Sequence, residues 1–255
     1  MPLDVERVRQ HFPGREIIWK SKTGTTMADA AERLAAGCAH GTVTGADEQS
    51  AGQGRQGRSW HSEAEKGLYV SIVLRPPFRV ATLPAFTLGL GLAAREAIET
   101  ASAVPCDLRW PNDVLAGEKK CAGILLQLEG DAAIAGFGIN VNHSAFPADL
   151  RETATSLYLE SGRTHSREDL LIALLNASDH YCDLMGRDGA EPVLRLFVQA
   201  SSYAFDRRVV VEDVKGALTG VTAGLDPQGY LLLRQDNGVV TRIVAGGVRP
   251  YAART

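Results

Sequence analysis

Apolar positions along most of this chain fall into two rhythms, short runs of strand length and longer stripes at helical spacing. The runs Glu16 to Lys20, Thr42 to Ala46 and Leu68 to Leu74 predict strands, the last stopped by Pro76-Pro77. Alanine-rich Ala28 to Ala36 predicts a helix ended by Gly37, with Thr25 or Thr26 as its cap. Pro84 to Thr100 is a second helix with Leu88, Leu92 and Ala93 on one side, and Gly89 and Gly91 allow close packing on a sheet. Gly123 to Glu129 and Ala132 to Asn140 flank Gly130-Asp131, the signature of an antiparallel hairpin. From Ser166 onward Leu170, Leu171, Leu174, Leu175, Tyr181, Leu184 and Met185 keep the helical period, and Glu191 to Ala200 predicts a further helix.

The texture changes after about Tyr203. Arg208 to Glu212, Leu218 to Ala223, Tyr230 to Arg234 and Val239 to Val244 are short β runs separated by Gly216, Asp226-Pro227-Gln228-Gly229 and Asp236-Asn237-Gly238. The expected organisation is an α+β domain over residues 1–202, followed by a small all-β barrel or sandwich over 203–255.

Composition removes several function classes. The 27 Lys and Arg against 30 Asp and Glu leave a formal charge of −3, so there is no general basic surface and a nucleic-acid partner is disfavoured. Cys38, Cys106, Cys121 and Cys182 are scattered without a C-x-x-C pair, as expected of reduced, packed thiols in a cytosolic protein. No uncharged apolar run is long enough to cross a bilayer, and the N-terminus has no apolar signal core.

One local feature departs from this neutral background. Gly52 to Trp60 reads Gly-Gln-Gly-Arg-Gln-Gly-Arg-Ser-Trp. Glycines let backbone N–H groups approach a ligand, and an arginine fork matches two anionic oxygens at once. Gly52, Gly54 and Gly57 fit the dinucleotide pattern G-x-G-x-x-G, yet polar Ala46-Asp47-Glu48-Gln49-Ser50 precedes them and Trp60-His61-Ser62-Glu63 leads to a strand. Without a buried strand before and a helix after, that reading fails. The loop is read instead as an anion clamp between two strands, with a solvated Gly/Arg surface loop as the plain competing account.

A second constellation is Arg109-Trp110-Pro111-Asn112-Asp113-Val114-Leu115 followed by Lys119-Lys120-Cys121-Ala122-Gly123. Its plain reading is a tight turn with exposed lysines. A further turn at Gly117-Glu118 would make a hairpin that brings Asp113 and Lys120 to one end of the sheet, where they could handle a carboxylate, a phosphate or a metal. The histidines His40, His61, His143, His165 and His180 stand in unrelated contexts and form no recognisable nucleophilic triad.

Taken together, the Gly52 to Trp60 loop, the Trp110-Pro111-Asn112-Asp113 turn, the strand Lys120 to Leu125, the segment Gly136-Phe137-Gly138-Ile139-Asn140-Val141-Asn142 and the terminal β module resemble biotin protein ligases. The resemblance implies an α+β fold around a mixed sheet with helices on one side, then a small SH3-like barrel. It implies ATP and biotin as substrates with Mg²⁺, formation of biotinyl-5′-AMP, and transfer to a lysine of a biotin carboxyl carrier protein such as that of acetyl-CoA carboxylase. No enzyme nucleophile is required.

Carried over by position, Thr25, Thr26 and Gln49 would contact the biotin head group. Gly52, Arg55 and Arg58 would close on the biotin tail and adenylate phosphate, and Gly123 would offer a backbone contact. Lys120 would serve the carboxylate and α-phosphate, and Trp60 and Asn140 the adenosine side. Asn112 and Asp113 would support metal, phosphate or Lys120, with Asp113 as the candidate metal ligand. Thr25 and Thr26 have a second reading as helix caps, and Trp60 one as core packing. Gln53 stands where the family usually has arginine, and Arg109 where many relatives have lysine. Some relatives carry an N-terminal DNA-binding domain; site threonines near residue 25 imply the form without it. Lipoate or octanoate ligases or transferases of the same fold and a non-catalytic biotin or nucleotide sensor are the competing functions, and homodimerisation is left open.

Overall fold

Two β-sheets organise the chain in its computed structural model, which describes residues 2–75, 82–213 and 216–251. The first contains β1 (Ile17–Lys20), β2 (Val43–Ala46), β3 (Gly67–Leu74), β4 (Asp107–Arg109), β5 (Asp113–Ala116), β6 (Lys119–Glu129) and β7 (Ala132–Asn140), in the order β1-β2-β3-β7-β6-β5-β4. Only β1 and β2 pair in parallel, so the sheet is mixed. The hairpin at Gly130-Asp131 forms as expected, with Glu129 opposite Ala132.

Strand alternation decides what covers each face. Leu68, Val70, Ile72 and Leu74 of β3 share a core with Ala135, Phe137 and Ile139 of β7, covered by α3 (Leu83–Ser102) and α5 (Arg167–Asp188). The other face carries Val73 and Ile134, which pack on Met27 and Ala30 of α2 (Thr26–Ala35). Helices on one side therefore describes α3, α5 and α6 (Ala190–Ala200), whereas α2 lies on the opposite face, beside the glycine loop. Gly89 gives close packing against helices and not the sheet: an added Cβ would stand 3.3 Å from Val193 of α6, while Gly91 faces Leu108 of β4 at 3.9 Å. Full burial of one side chain such as Phe86 contributes about 1.5–3 kcal/mol.

Helix α5 is capped by Ser166, whose side chain accepts from the Asp169 N–H. Its first residue, Arg167, holds Asp47 at 2.8 Å, with the two side chains only 4% and 7% exposed. Removing one partner of such a buried pair costs about 3–5 kcal/mol. This pair ties the chain entering the glycine loop to the helical layer.

The second sheet contains β8 (Phe205–Asp213), β9 (Gly216–Leu225), β10 (Leu231–Arg234), β11 (Val240–Ile243) and β12 (Gly247–Pro250), all antiparallel in the order β11-β10-β9-β8-β12. Among the described residues the ladder has two ends and no pairing closes it. The indole N–H of Trp110 donates to the Gly229 carbonyl at 3.0 Å, docking this sheet onto the first. Strands β4, β5 and β12 and the short helices α1 (Val5–His11) and α4 (Leu157–Ser161) are too brief to show a period. Pro76-Pro77 lies outside the described residues.

Candidate active site

The Gly52 to Trp60 segment forms a narrow antiparallel loop between β2 and β3. Trp60 N donates to Gly52 O at 2.8 Å, Gln53 bridges Ser59, and Gly54 N donates to Arg58 O at 2.7 Å. A three-residue 3₁₀ turn, Arg55–Gly57, makes the tip, with Gln56 at φ 57° and Gly57 at φ 72°. No α-helix follows it, in keeping with the rejected dinucleotide pattern. Gly52 is required by crowding, since a Cβ there would stand 2.6 Å from the Trp60 carbonyl oxygen.

Beneath the loop lies a small pocket lined by Thr25, Thr26, Gln49, Gly123 and Gly138 among others. Thr25 is the N-cap of α2 and accepts from Met27 N at 3.4 Å. Thr26 instead shares its hydroxyl with Ser71 Oγ at 2.8 Å, and its backbone N–H donates to Gln49 Oε1 at 2.9 Å. Gln49 in turn donates to Ser62 Oγ at 2.9 Å, so its amide is held at both ends. Both threonines therefore line the pocket, and only one is the cap.

The second constellation converges on the same place. Asp113 opens β5, and a turn at Gly117, with φ 60°, leads into β6. Across this hairpin Lys120 Nζ lies 2.5 Å from Asp113 Oδ1, and Arg109 Nη2 lies 2.8 Å from Oδ2. Burial pushes the Asp113 carboxyl up, but Lys120 and Arg109 together hold it below the usual carboxylate range. Lys120 also stands 5.2 Å from the centre of the Trp60 ring. The indole fits there because Gly123 and Gly138 have no side chains: a Cβ on Gly138 would come within 2.4 Å of it.

Asn112 joins the loop tip to the sheet. It donates to Ile124 O at 2.8 Å and accepts from Arg55 Nη1 at 3.1 Å. Arg55 also reaches Gly246 O, immediately before β12, at 3.4 Å. Burial, with Arg58 close by, draws the Arg55 guanidinium below its ordinary value. Arg58 is exposed at the mouth of a larger open cleft, also lined by Trp60, Asp113, Lys120 and Asn140. Asn140 is 4% exposed and donates to Thr155 O at 3.0 Å, fixing the segment beside Lys120.

Gly54, Arg55, Trp60, Asn112 and Lys120 line both the pocket and the cleft. An acid held in the pocket and a phosphate in the cleft would meet at those cations. Sequence reasoning missed Met27, Gly136 and Gly138 on the pocket floor and Gly246 and Arg249 on the cleft wall. The Gly-x-Gly alternation of 136 and 138 was the legible signal for a cleared strand face. The expectation that the histidines stand apart is wrong for two of them. His61 and His143 meet with ring centres 5.8 Å apart, because the chain after Trp60 runs alongside the end of β7. His143 is fully buried, and burial lowers it to about 4.

Residues 20–143 match the biotin/lipoate A/B protein ligase family, and residues 204–248 match the biotin protein ligase C-terminal domain. The chain is 32% identical over 261 residues to the biotin--[acetyl-CoA-carboxylase] ligase of Mycobacterium tuberculosis, covering 96% of this chain and 94% of the relative. It is also 32% identical over 234 residues to the bifunctional ligase/repressor BirA of Bacillus spizizenii, covering 89% and 71%. The biotin protein ligase of Aquifex aeolicus, solved with biotin and ATP, superposes with a TM-score of 0.82 at 31% identity, over 92% of this chain and 97% of that one. The chain belongs to the biotin protein ligase family.

Proposed function

We propose that this protein activates biotin with ATP as biotinyl-5′-AMP and transfers the biotinyl group to a lysine of a biotin carboxyl carrier domain, that of acetyl-CoA carboxylase being the expected acceptor. The observation that carries this reading is the placement of Lys120, held by Asp113 where pocket and cleft meet. In the first step a biotin carboxylate oxygen bonds to the α-phosphorus and the bond to pyrophosphate breaks. In the second the acceptor amine attacks the acyl carbon, AMP leaves and the amine loses a proton.

Both steps gather negative charge, so fixed cations are the catalytic requirement. Lys120, Arg55 and Arg58 supply it, and Asp113 positions Lys120. Thr25, Thr26, Gln49, Gly52 and Gly123 are read as the biotin subsite, and Trp60, Asn112 and Asn140 as the nucleotide side. Asp113 fits Mg²⁺ poorly, because both its oxygens are already paired with cations and a divalent ion would be repelled by them. Mg²⁺ is therefore assigned to the phosphates of the incoming nucleotide, as part of the substrate.

Around this site we read a catalytic domain over residues 1–202 and a C-terminal β domain over 203–255, working in the cytosol without nucleic acid or membrane. Among the described residues no helix is long and apolar enough to cross a membrane. Pyrophosphate exchange into ATP, run with biotin, with lipoate and with neither, tests the reaction. Exchange with biotin is expected; exchange with lipoate alone would assign a lipoate ligase, and none at all a sensor. Labelling of a purified carrier domain, read by a streptavidin gel shift, tests the acceptor.

A further inference from the structure

We propose that His61, Glu63 and His143 form a binding site for one divalent transition-metal ion of the zinc class, outside the residues assigned to acyl activation. A ring nitrogen of each histidine and a carboxylate oxygen of Glu63 all lie within 4.8 Å of one another. His61 and Glu63 are two positions apart on the segment between the glycine loop and β3, where His61 Nε2 lies 4.0 Å from Glu63 Oε2. His143 arrives from the segment following β7 and is wholly buried.

A hydrogen-bond chain prepares His143 for this role. The Tyr69 hydroxyl lies 3.0 Å from the Glu63 carbonyl oxygen, to which it donates, and 3.3 Å from His143 Nε2. With its single proton spent on Glu63, Tyr69 accepts from Nε2–H, which leaves Nδ1 with the lone pair. Nδ1 is buried with no hydrogen-bond partner. A buried imidazole with an unpartnered ring nitrogen, packed near a second imidazole and a carboxylate, is what a metal ligand needs, and the Tyr69 contact is the orienting partner that ligating histidines usually have.

Ligands on a tetrahedral zinc ion lie about 3.4 Å apart when each bond is about 2.1 Å. His61 Nε2 and Glu63 Oε2 stand 4.0 Å apart, and their side chains are 32% and 46% exposed, free to close around an ion next to the rigid His143. Two imidazoles and one carboxylate suit zinc, cobalt or nickel and not magnesium. His61 and Phe146 both line the cleft, so an ion here would pin the chain leaving Trp60 to the segment after β7 on the cleft wall.

Cobalt(II) titrated into the full chain should give a visible d–d band saturating at one ion per chain, displaced by Zn²⁺ and unaffected by Mg²⁺. His61→Ala and Glu63→Gln should each weaken cobalt binding at least tenfold. Both residues are partly exposed, and circular dichroism would verify that each variant folds. Absence of one-to-one binding, or wild-type affinity in either variant, overturns the proposal.

Discussion

The ammonium of Lys120 is held 2.5 Å from Asp113 while standing 5.2 Å from the centre of the Trp60 ring. One cation is thereby gripped by a carboxylate on the neighbouring strand and flanked by an indole from the glycine loop. Gly123 leaves room for its stem, since a Cβ there would stand 2.8 Å from Lys120 Cε.

Removing this cation is expected to affect chemistry more than folding. Lys120→Ala should slow biotin-dependent pyrophosphate exchange by about 10²–10³-fold, the range typical of losing one preorganised charge-stabilising donor. Exchange kinetics alongside a thermal melt measure both effects. An unchanged exchange rate would remove Lys120 from the site.

Asp113 predicts an acid-side loss of stability. Its folded value lies below the unfolded one of about 3.9, so the unfolded chain binds the proton more readily. Its stabilising contribution is fully present above about pH 4 and fades as pH falls through the lower folded value. In Asp113→Asn that component is absent, and Arg109 and Lys120 lose their shared counter-charge. Melting temperatures taken from pH 7 down to pH 3 should converge for the two proteins at the acid end. A gap that widens on acidification would contradict this.

Gly138 clears space for the Trp60 ring. Gly138→Ala would place a methyl 2.4 Å from the indole, forcing the ring off its seat between β6, β7 and Lys120. Overpacking of this kind costs about 1–3 kcal/mol, read by urea denaturation. Biotin-dependent exchange should fall in parallel, since the displaced ring lines both compartments.

Gln53 is exposed and paired with Ser59 in the loop ladder. It lines the pocket beneath the loop with Arg55 but carries no charge. Gln53→Arg should slow release of the adenylate severalfold, measured as the half-life of the protein-bound intermediate after ATP is removed. If release is unchanged, the extra cation does not reach the adenylate.

Several parts of this architecture were legible because they are local. The periods of β3, β7, α3 and α5 repeat within their own residues, and the Gly130-Asp131 hairpin closes between adjacent strands. The Gly52 to Trp60 loop was read correctly as joining two strands, since its polar flanks exclude a buried strand and a following helix. Thr25 and Thr26 were interchangeable in sequence, because either hydroxyl is near the first turn of α2. Only the tertiary contacts separate them: Thr25 caps the helix, Thr26 is tied to Ser71 and Gln49, and both line the pocket.

The sequence by itself determined the order of the longer elements, the break in texture near Tyr203 and the glycine-arginine loop, because these depend on backbone periodicity and on residues within a few positions of one another. Tertiary structure alone decided that α2 covers one sheet face while α3 and α5 cover the other, that Trp60 rests on Gly123 and Gly138, and that His61 meets His143. Those contacts arise from which strand faces oppose each other after the sheet has paired. That pairing is set by burial summed over the whole core, and no local pattern encodes it.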